Sequence, residues 1–361
     1  MKKNKIFALE SLRGLAAVFV ALYHYPSTSF LHFKNGSLGV AYFFVLSGFV
    51  ITLNYIDKIN SLKDLLNFQI KRFYRLYPTH IFILFIVLIV QILKYFLINY
   101  TNIKSGQSAF GDWYSLKDFI ANLFLIQAVF SNFYYLSWNG AAWSISTEFY
   151  TYIIFAILFM LINKRFIPVI ILIYLLSKNL NFLNLYYFKN FFNIFNSVFF
   201  SCIFYFSIGC LTYYLYSYLY KKVLINNYFS ICLCVIFILI KFFFESFFIS
   251  YDFLIFLLLI LIVTLLEKKT YLYKLLNSKI LIFLGTISYS FYLIHQTIIY
   301  FVVQIFRFVL KVEFIIDEKS GSVSGTANVH IDTAIHLIYV GLSIFFAYLI
   351  NKYVENKFRR Q

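Results

Sequence analysis

Charge is scarce in this chain. Of 361 residues, 31 are Lys or Arg and 14 are Asp or Glu, so only 12% carry formal charge. A soluble domain runs nearer a quarter charged. The shortage excludes the two or three soluble domains that the length would allow. Proline occurs three times, as Pro26, Pro78 and Pro168. Each is expected at a helix end, where its missing N–H does little damage. The four cysteines, Cys202, Cys210, Cys232 and Cys234, all fall in apolar stretches. They read as small core residues, and no disulfide framework is implied. There is no metal-ligand spacing, no Gly-x-Ser-x-Gly elbow for a serine nucleophile and no inverted transporter-type repeat.

Apolar side chains fill the space that charge leaves. They make up 62% of the sequence, more than a water-soluble fold could hide, so the bilayer must be the solvent. The net charge of +17 then belongs to loops between membrane segments and is no sign of a nucleic-acid partner. Lys2, Lys3 and Lys5 resemble the start of a signal peptide. Glu10 and Arg13 interrupt the following apolar run, and no small-residue cleavage site follows, so it reads as a retained first helix. The abundance of Phe, Tyr, Leu, Ile, Asn and Lys suggests an AT-rich bacterial genome.

Runs long enough to span are 7–25, 38–55, 76–97, 141–162, 198–220, 228–244, 247–266, 280–306 and 334–353, with a shorter 166–177 extending toward Leu183. The stretch 119–130 is about half a crossing and decides the parity of all that follows. With a cytoplasmic N-terminus and a non-crossing 119–130, inner stretches hold 20 Lys and Arg and outer ones 10. That bias favours ten spans, both ends inside, and an outer re-entrant or interfacial 119–130. The expected fold is therefore all-α, a polytopic membrane protein of about ten helices.

Charged groups in hydrocarbon are costly, so each is a functional candidate. Arg13 and His24 are eleven residues apart, close to three full turns, which puts both on one helix face roughly 16 Å apart. Snorkelling of Arg13 and an interfacial His24 would account for them equally. Ser47-Gly48 in an apolar helix signals close packing or a kink. Arg72 and Arg75 stand i,i+3 on a short helix leading into a span, where two guanidiniums can grip a phosphate; a topological anchor is the plainer alternative. Trp143-Ser144-x-x-x-Glu148 opens another span with a carboxylate that has no cation near it in sequence. Ser288-Tyr289-x-x-Tyr292-x-x-His295 places a histidine in mid-span, where a hydrogen-bonded core residue is the common outcome.

Taken in order, Arg13-x10-His24, Phe44-x-x-Ser47-Gly48-Phe49, Arg72-x-x-Arg75-x-x-Pro78, Trp143-Ser144-x-x-x-Glu148 and Ser288-Tyr289-x-x-Tyr292-x-x-His295 resemble the acyltransferase-3 family of integral membrane acyltransferases. The resemblance implies ten membrane helices, cytoplasmic acyl-CoA (usually acetyl-CoA) as co-substrate, and no metal. It also implies O-acylation of an extracytoplasmic or lipid-linked glycan, such as O-antigen, capsule, exopolysaccharide or peptidoglycan, at a bacterial cytoplasmic membrane. Ending at Gln361, the chain corresponds to the family's stand-alone form. Its tail departs from the family's Glu-x-Pro-Phe, reading Glu355-Asn-Lys357-Phe358, a position expected only to end the last helix.

Acyl transfer to a hydroxyl needs a base and positive or hydrogen-bonding groups at the developing oxyanion. His24 fits the base, with Glu148 as its possible partner; Arg13 fits the donor or oxyanion, and Arg72 and Arg75 the donor phosphates. Ser47, Gly48, Trp143, Ser144, Tyr289, Tyr292 and His295 are further candidates. The rival class is a secondary transporter or flippase that uses Arg13, His24 and Glu148 as a proton relay.

The charge count yields a topology test. In a variant lacking the native cysteines, single cysteines near Lys104 and near Ser320 should react with a membrane-impermeant thiol reagent in intact cells, and one near Lys268 should not. Labelling of the Lys268 site in sealed cells would overturn the ten-span arrangement.

Overall fold

The structure is a computed structural model. It describes residues 6–25, 29–32, 36–100, 108–164, 166–169, 171, 194–220, 222–229, 245–316 and 323–358. Ten helices carry the architecture: α1 (Phe7–His24), α2 (Ser37–Tyr55), α3 (Leu62–Tyr100), α4 (Leu116–Leu123), α5 (Trp143–Leu161), α6 (Ser197–Leu219), α7 (Glu245–Leu265), α8 (Tyr271–Leu276), α9 (Lys279–Gln304) and α10 (Val329–Ile350). One antiparallel hairpin, β1 (Phe314–Ile316) and β2 (Val323–Thr326), pairs Phe314 with Thr326 and Ile316 with Val323.

Among the described residues, seven helical segments are long and apolar enough to cross a membrane, those built on α1, α2, α3, α5, α6, α9 and α10. Helix α7 matches the expected span 247–266. The expected spans 166–177 and 228–244 lie largely outside the described residues, as do Cys232, Cys234 and Pro26. The outward surface confirms the solvent. Ile89, Leu93 and Phe96 on α3 and Leu337 and Phe345 on α10 are all about half exposed, while polar groups crowd the interior. That inversion suits lipid contact.

Lipid supplies no hydrophobic drive between helices, so close backbone approach through small residues holds the bundle. Gly48 on α2 faces Gly209 on α6. A Cβ on Gly48 would sit 2.0 Å from the Phe206 carbonyl oxygen, and one on Gly209 would sit 1.9 Å from that of Val45. Thr52 Oγ1 donates to the Gly48 carbonyl at 2.7 Å beside Cys210. Helices α1 and α9 cross in the same way, with Gly14 against the Leu284–Gly285 backbone.

Two expectations need correction. Pro78 does not end a helix, and Arg72 and Arg75 are not on a separate short one. All three lie inside the 39-residue α3. At 1.5 Å per residue this helix is about 58 Å long, well beyond a hydrocarbon core of about 30 Å. Pro78 removes the donor for the carbonyl of Tyr74, which is 37% exposed and can be solvated instead. By contrast, 119–130 is no crossing helix. Helix α4 has eight residues, about 12 Å. Ser115 caps it by accepting from Asp118 N, and Ser115 Oγ donates back to the Asp118 carboxylate. The chain then folds back against α3 and α5, where His80 Nε2 donates to Asn122 O at 2.9 Å and Ser146 Oγ donates to Leu125 O at 2.5 Å.

At the end of α1, fully buried Asp332 of α10 ties three segments together. It accepts from Tyr25 Oη (3.1 Å), Ser29 N (3.1 Å) and Thr326 N (3.2 Å). Burial, with the Asp332 charge, pushes the Tyr25 phenol well above its usual value, so it remains a donor. Asp332→Ala strands three buried donors and should cost about 2 kcal/mol or more. The thermal midpoint of the purified protein should fall by several degrees, with Asp332→Asn in between. Equal midpoints for Asp332→Ala and wild type would remove the clamp.

Candidate active site

Two cavities follow one another along α1 and α9. The first draws its wall from α1, α2, α3, α5 and α9. Most of the residues singled out in the sequence line it: Arg13, Ser47, Arg72, Arg75, Ser144, Glu148, Tyr289 and Tyr292. Their convergence follows from the helix crossings. Gly14 and Gly48 bring α1 against α9 and α2 against α6, so side chains one turn away point into a shared interior.

Glu148 has partners in space that it lacked in sequence. Its Oε1 accepts from Ser47 Oγ and, at 2.5 Å, from Tyr152 Oη. Arg75 lies in the field of three carboxylates, Glu10, Glu355 and Glu148. Arg13 pairs with Glu10 at 3.5 Å. Arg72 is held differently. Its guanidinium stacks over the rings of Tyr55 (5.3 Å) and Phe68 (5.6 Å), and Nη2 donates to Tyr55 Oη at 3.1 Å. Its Nε is buried without a hydrogen-bond partner. Ser144 Oγ bonds Tyr292 Oη at 2.9 Å, and Tyr289 Oη donates to Leu76 O at 2.5 Å. Trp143 supports the wall edge-on to Phe44. Gly48 is a packing residue of the α2–α6 crossing.

The second cavity is lined by His24 together with residues of α3, α9 and the 113–140 segment. His24 Nδ1 lies 2.8 Å from the Val20 carbonyl, which can only accept. The proton therefore sits on Nδ1 and the lone pair on Nε2. His295, which is 1% exposed and lines neither cavity, repeats the arrangement with Nδ1 2.5 Å from Tyr292 O and Nε2 buried without a partner. The two imidazoles meet edge to face, 5.0 Å between centroids. His24 and Glu148 thus line separate cavities, and the imidazole next to His24 is His295.

Sequence reasoning passed over Glu355. It is 3% exposed, accepts from Ser290 Oγ and Asn351 Nδ2 at 2.8 Å each, and acts on Arg75 and Tyr289. The sequence carried little signal, since Glu355 stands beyond the apolar run 334–353, among Asn351, Lys352, Asn356 and Lys357. Tyr152 was missed because a tyrosine among 32 carries no signal of its own. Among the described residues, no group of three or more His, Cys, Asp or Glu is placed to hold a metal ion.

Residues 6–352 match the acyltransferase-3 family model, described as an acyltransferase domain. One similar protein is the peptidoglycan O-acetyltransferase OatA of Listeria monocytogenes, 38% identical over 86 residues. The match covers 23% of this chain and only 13% of that relative. No solved structure matches.

Proposed function

The chain belongs to the acyltransferase-3 family, and from that premise we propose that it moves an acyl group, acetyl in the first place, from cytoplasmic acyl-CoA to a hydroxyl of an extracytoplasmic glycan. It is a multi-pass membrane acyltransferase; the donor, the acceptor and the residue roles below are the proposal. One observation carries it. Helices α1 and α9 line both a cavity with three guanidiniums and a second cavity with an imidazole whose bare nitrogen is fixed, which suits a charged donor in the one and an acceptor hydroxyl in the other.

In this reading the first cavity takes the donor. Arg72 has unspent donors, with Nε unpartnered, and its planar fork suits a phosphate. Arg75, surrounded by carboxylates, holds the cavity together. The acceptor hydroxyl enters the second cavity, and His24 Nε2 removes its proton as the oxygen attacks the thioester carbonyl. The C–O bond forms, the C–S bond breaks, and the departing thiolate takes the proton back from His24. Val20 O holds the tautomer and favours the transient imidazolium. Arg13, three turns down α1 from His24, contributes positive charge on the donor side. A peptidoglycan acetyltransferase among the similar proteins supports acetyl as the group and a glycan as its acceptor. The bacterial cytoplasmic membrane with both termini inside is the matching location.

Two kinetic outcomes test this. His24→Ala should lower transfer of labelled acetyl from acetyl-CoA to surface glycan by about 10²–10⁴-fold at unchanged membrane abundance. Retention of more than about half the activity would move the base to His295.

Arg72→Lys keeps the charge but loses the fork. Lost charge-assisted bonds of about 1.5–3 kcal/mol should raise the apparent KM for acyl-CoA roughly 10- to 150-fold and leave kcat nearly unchanged. Unchanged kinetics would reduce Arg72 to an anchor.

A further inference from the structure

Among the described residues, none lines both cavities, although α1, α3, α9 and the start of α5 serve each of them. One face of α9 carries Tyr289 and Tyr292 along the first cavity and Gln296 and Tyr300 along the second. The rise from Tyr292 to Gln296 is only about 6 Å. On α1 the change falls between Arg13 and His24, and at the start of α5 between Gly140 and Ser144. Side chains fill the space at this level. Val20 of α1, Val40 and Phe44 of α2, Ala141 and Tyr292 pack in one cluster, each 6% exposed or less. They form a septum between the cavities.

The members of the septum differ in what they can do. Val20 and Val40 are stiff at χ1, and Ala141 has no side-chain rotation. Phe44 is backed edge-on by Trp143 at 5.9 Å. Tyr292 has a polar handle and a lighter hold. Its hydroxyl bonds Ser144 Oγ at 2.9 Å, and its ring stands edge-on to Phe43 at 5.7 Å. Both Ser144 and Phe43 line the first cavity. The Tyr292 carbonyl meets Nδ1 of His295, whose ring lies 5.0 Å from that of His24. One residue thus joins the wall of the guanidinium cavity to the imidazole pair.

Acyl transfer brings the thioester carbonyl and the bare nitrogen of His24 to a single bond, across this septum. We propose that Tyr292 is the specificity-determining residue of the donor cavity: its ring swings off Ser144 to let an acyl group reach His24, and its bulk at the opening admits acetyl and rejects longer chains. The proposal rests on the acyl-transfer reading and adds to it a gate and a size filter. An opening bounded by Tyr292, Phe44 and Val20 is apolar and tight, and one extra methylene in such a place is worth roughly 10- to 200-fold in selectivity. With the ring closed, water from the second cavity is kept from the thioester. With the ring removed, water adds to the carbonyl carbon and the C–S bond breaks. Acetate and the CoA thiol leave, one proton staying on sulfur and one passing to solvent.

The test uses the full chain in two settings. Native membranes, which hold the acceptor, receive acyl-labelled acetyl-, propionyl- or butyryl-CoA. Lipid nanodiscs without glycan receive acetyl-CoA, and release of the CoA thiol is followed. Wild type should transfer acetyl well ahead of butyryl. Tyr292→Ala should move the butyryl-to-acetyl ratio of kcat/KM roughly tenfold or more toward butyryl, whereas Tyr292→Phe, which keeps the ring, should hold the wild-type ratio. In nanodiscs Tyr292→Ala should release CoA severalfold faster than wild type. Ser144→Ala frees the ring without removing it, so it should also speed CoA release while leaving the donor ratio unchanged. Thermal midpoints check the fold, and Tyr292→Leu, with the same expected direction, replaces Tyr292→Ala if the latter does not fold. Transfer by wild type with the same donor ratio and the same CoA release in the variants lacking the ring overturns the gate and leaves acyl transfer standing. A ratio shifted equally in Tyr292→Phe would place the selection on the hydroxyl and overturn the filter. Absence of transfer from every donor in wild type overturns the acyl-transfer reading, and the gate falls with it.

Discussion

Guanidiniums buried in a hydrocarbon-embedded bundle must be compensated on the spot, and the rest of the molecule is arranged around doing so. Each unpaired ion would cost several kcal/mol. Arg13 pairs with Glu10, Arg75 lies in the field of Glu10, Glu148 and Glu355, and Arg72 is met instead by two aromatic faces. These partners come from α1, α5 and the C-terminal turn of α10, so the charge cluster ties together elements far apart in sequence. The cluster can form only where backbones approach closely. The glycines at the α1–α9 and α2–α6 crossings therefore serve the charges as much as the packing. The compensation is uneven. Arg75 has carboxylates in its field, whereas Arg72 keeps an unpartnered Nε facing buried space, which is the difference between a group that holds a site and one that is free to bind.

The sequence made the membrane class and the polar set legible because bilayer physics penalises charge so strongly that each exception stands out. Arg13, Ser47, Arg72, Arg75, Ser144, Glu148, Tyr289 and Tyr292 indeed share one cavity wall. What failed was pairing. Nothing along the chain says that Glu148 lies with Ser47 while His24 lies beside His295, because those contacts are fixed by helix crossings between distant segments. Glu355 was set aside as a helix end, yet it is buried behind Arg75. Pro78 was misplaced because the rule that proline ends helices weighs the lost bond alone. An exposed carbonyl on a very long helix can recover that bond from its surroundings.

The separation of the two cavities bears on what kind of machine this is. A transporter needs one site reached alternately from both sides. Here two differently built cavities lie along the same pair of helices, one wall rich in guanidinium and the other in indole and amide. Such a layout suits two reactants of unlike chemistry that need to meet at a single bond. If the reactants enter from opposite faces, neither has to cross the bilayer whole; only the acyl group does. The protein then needs no large rocking motion of the kind that alternating access demands. Rigid glycine-mediated crossings, which would hinder a transporter, are what hold two fixed half-sites in register. The buried Nε2 of His295 follows from the same layout. With its proton fixed on Nδ1 and His24 alongside, it is a second lone pair next to the first, enclosed where that of His24 lines a cavity.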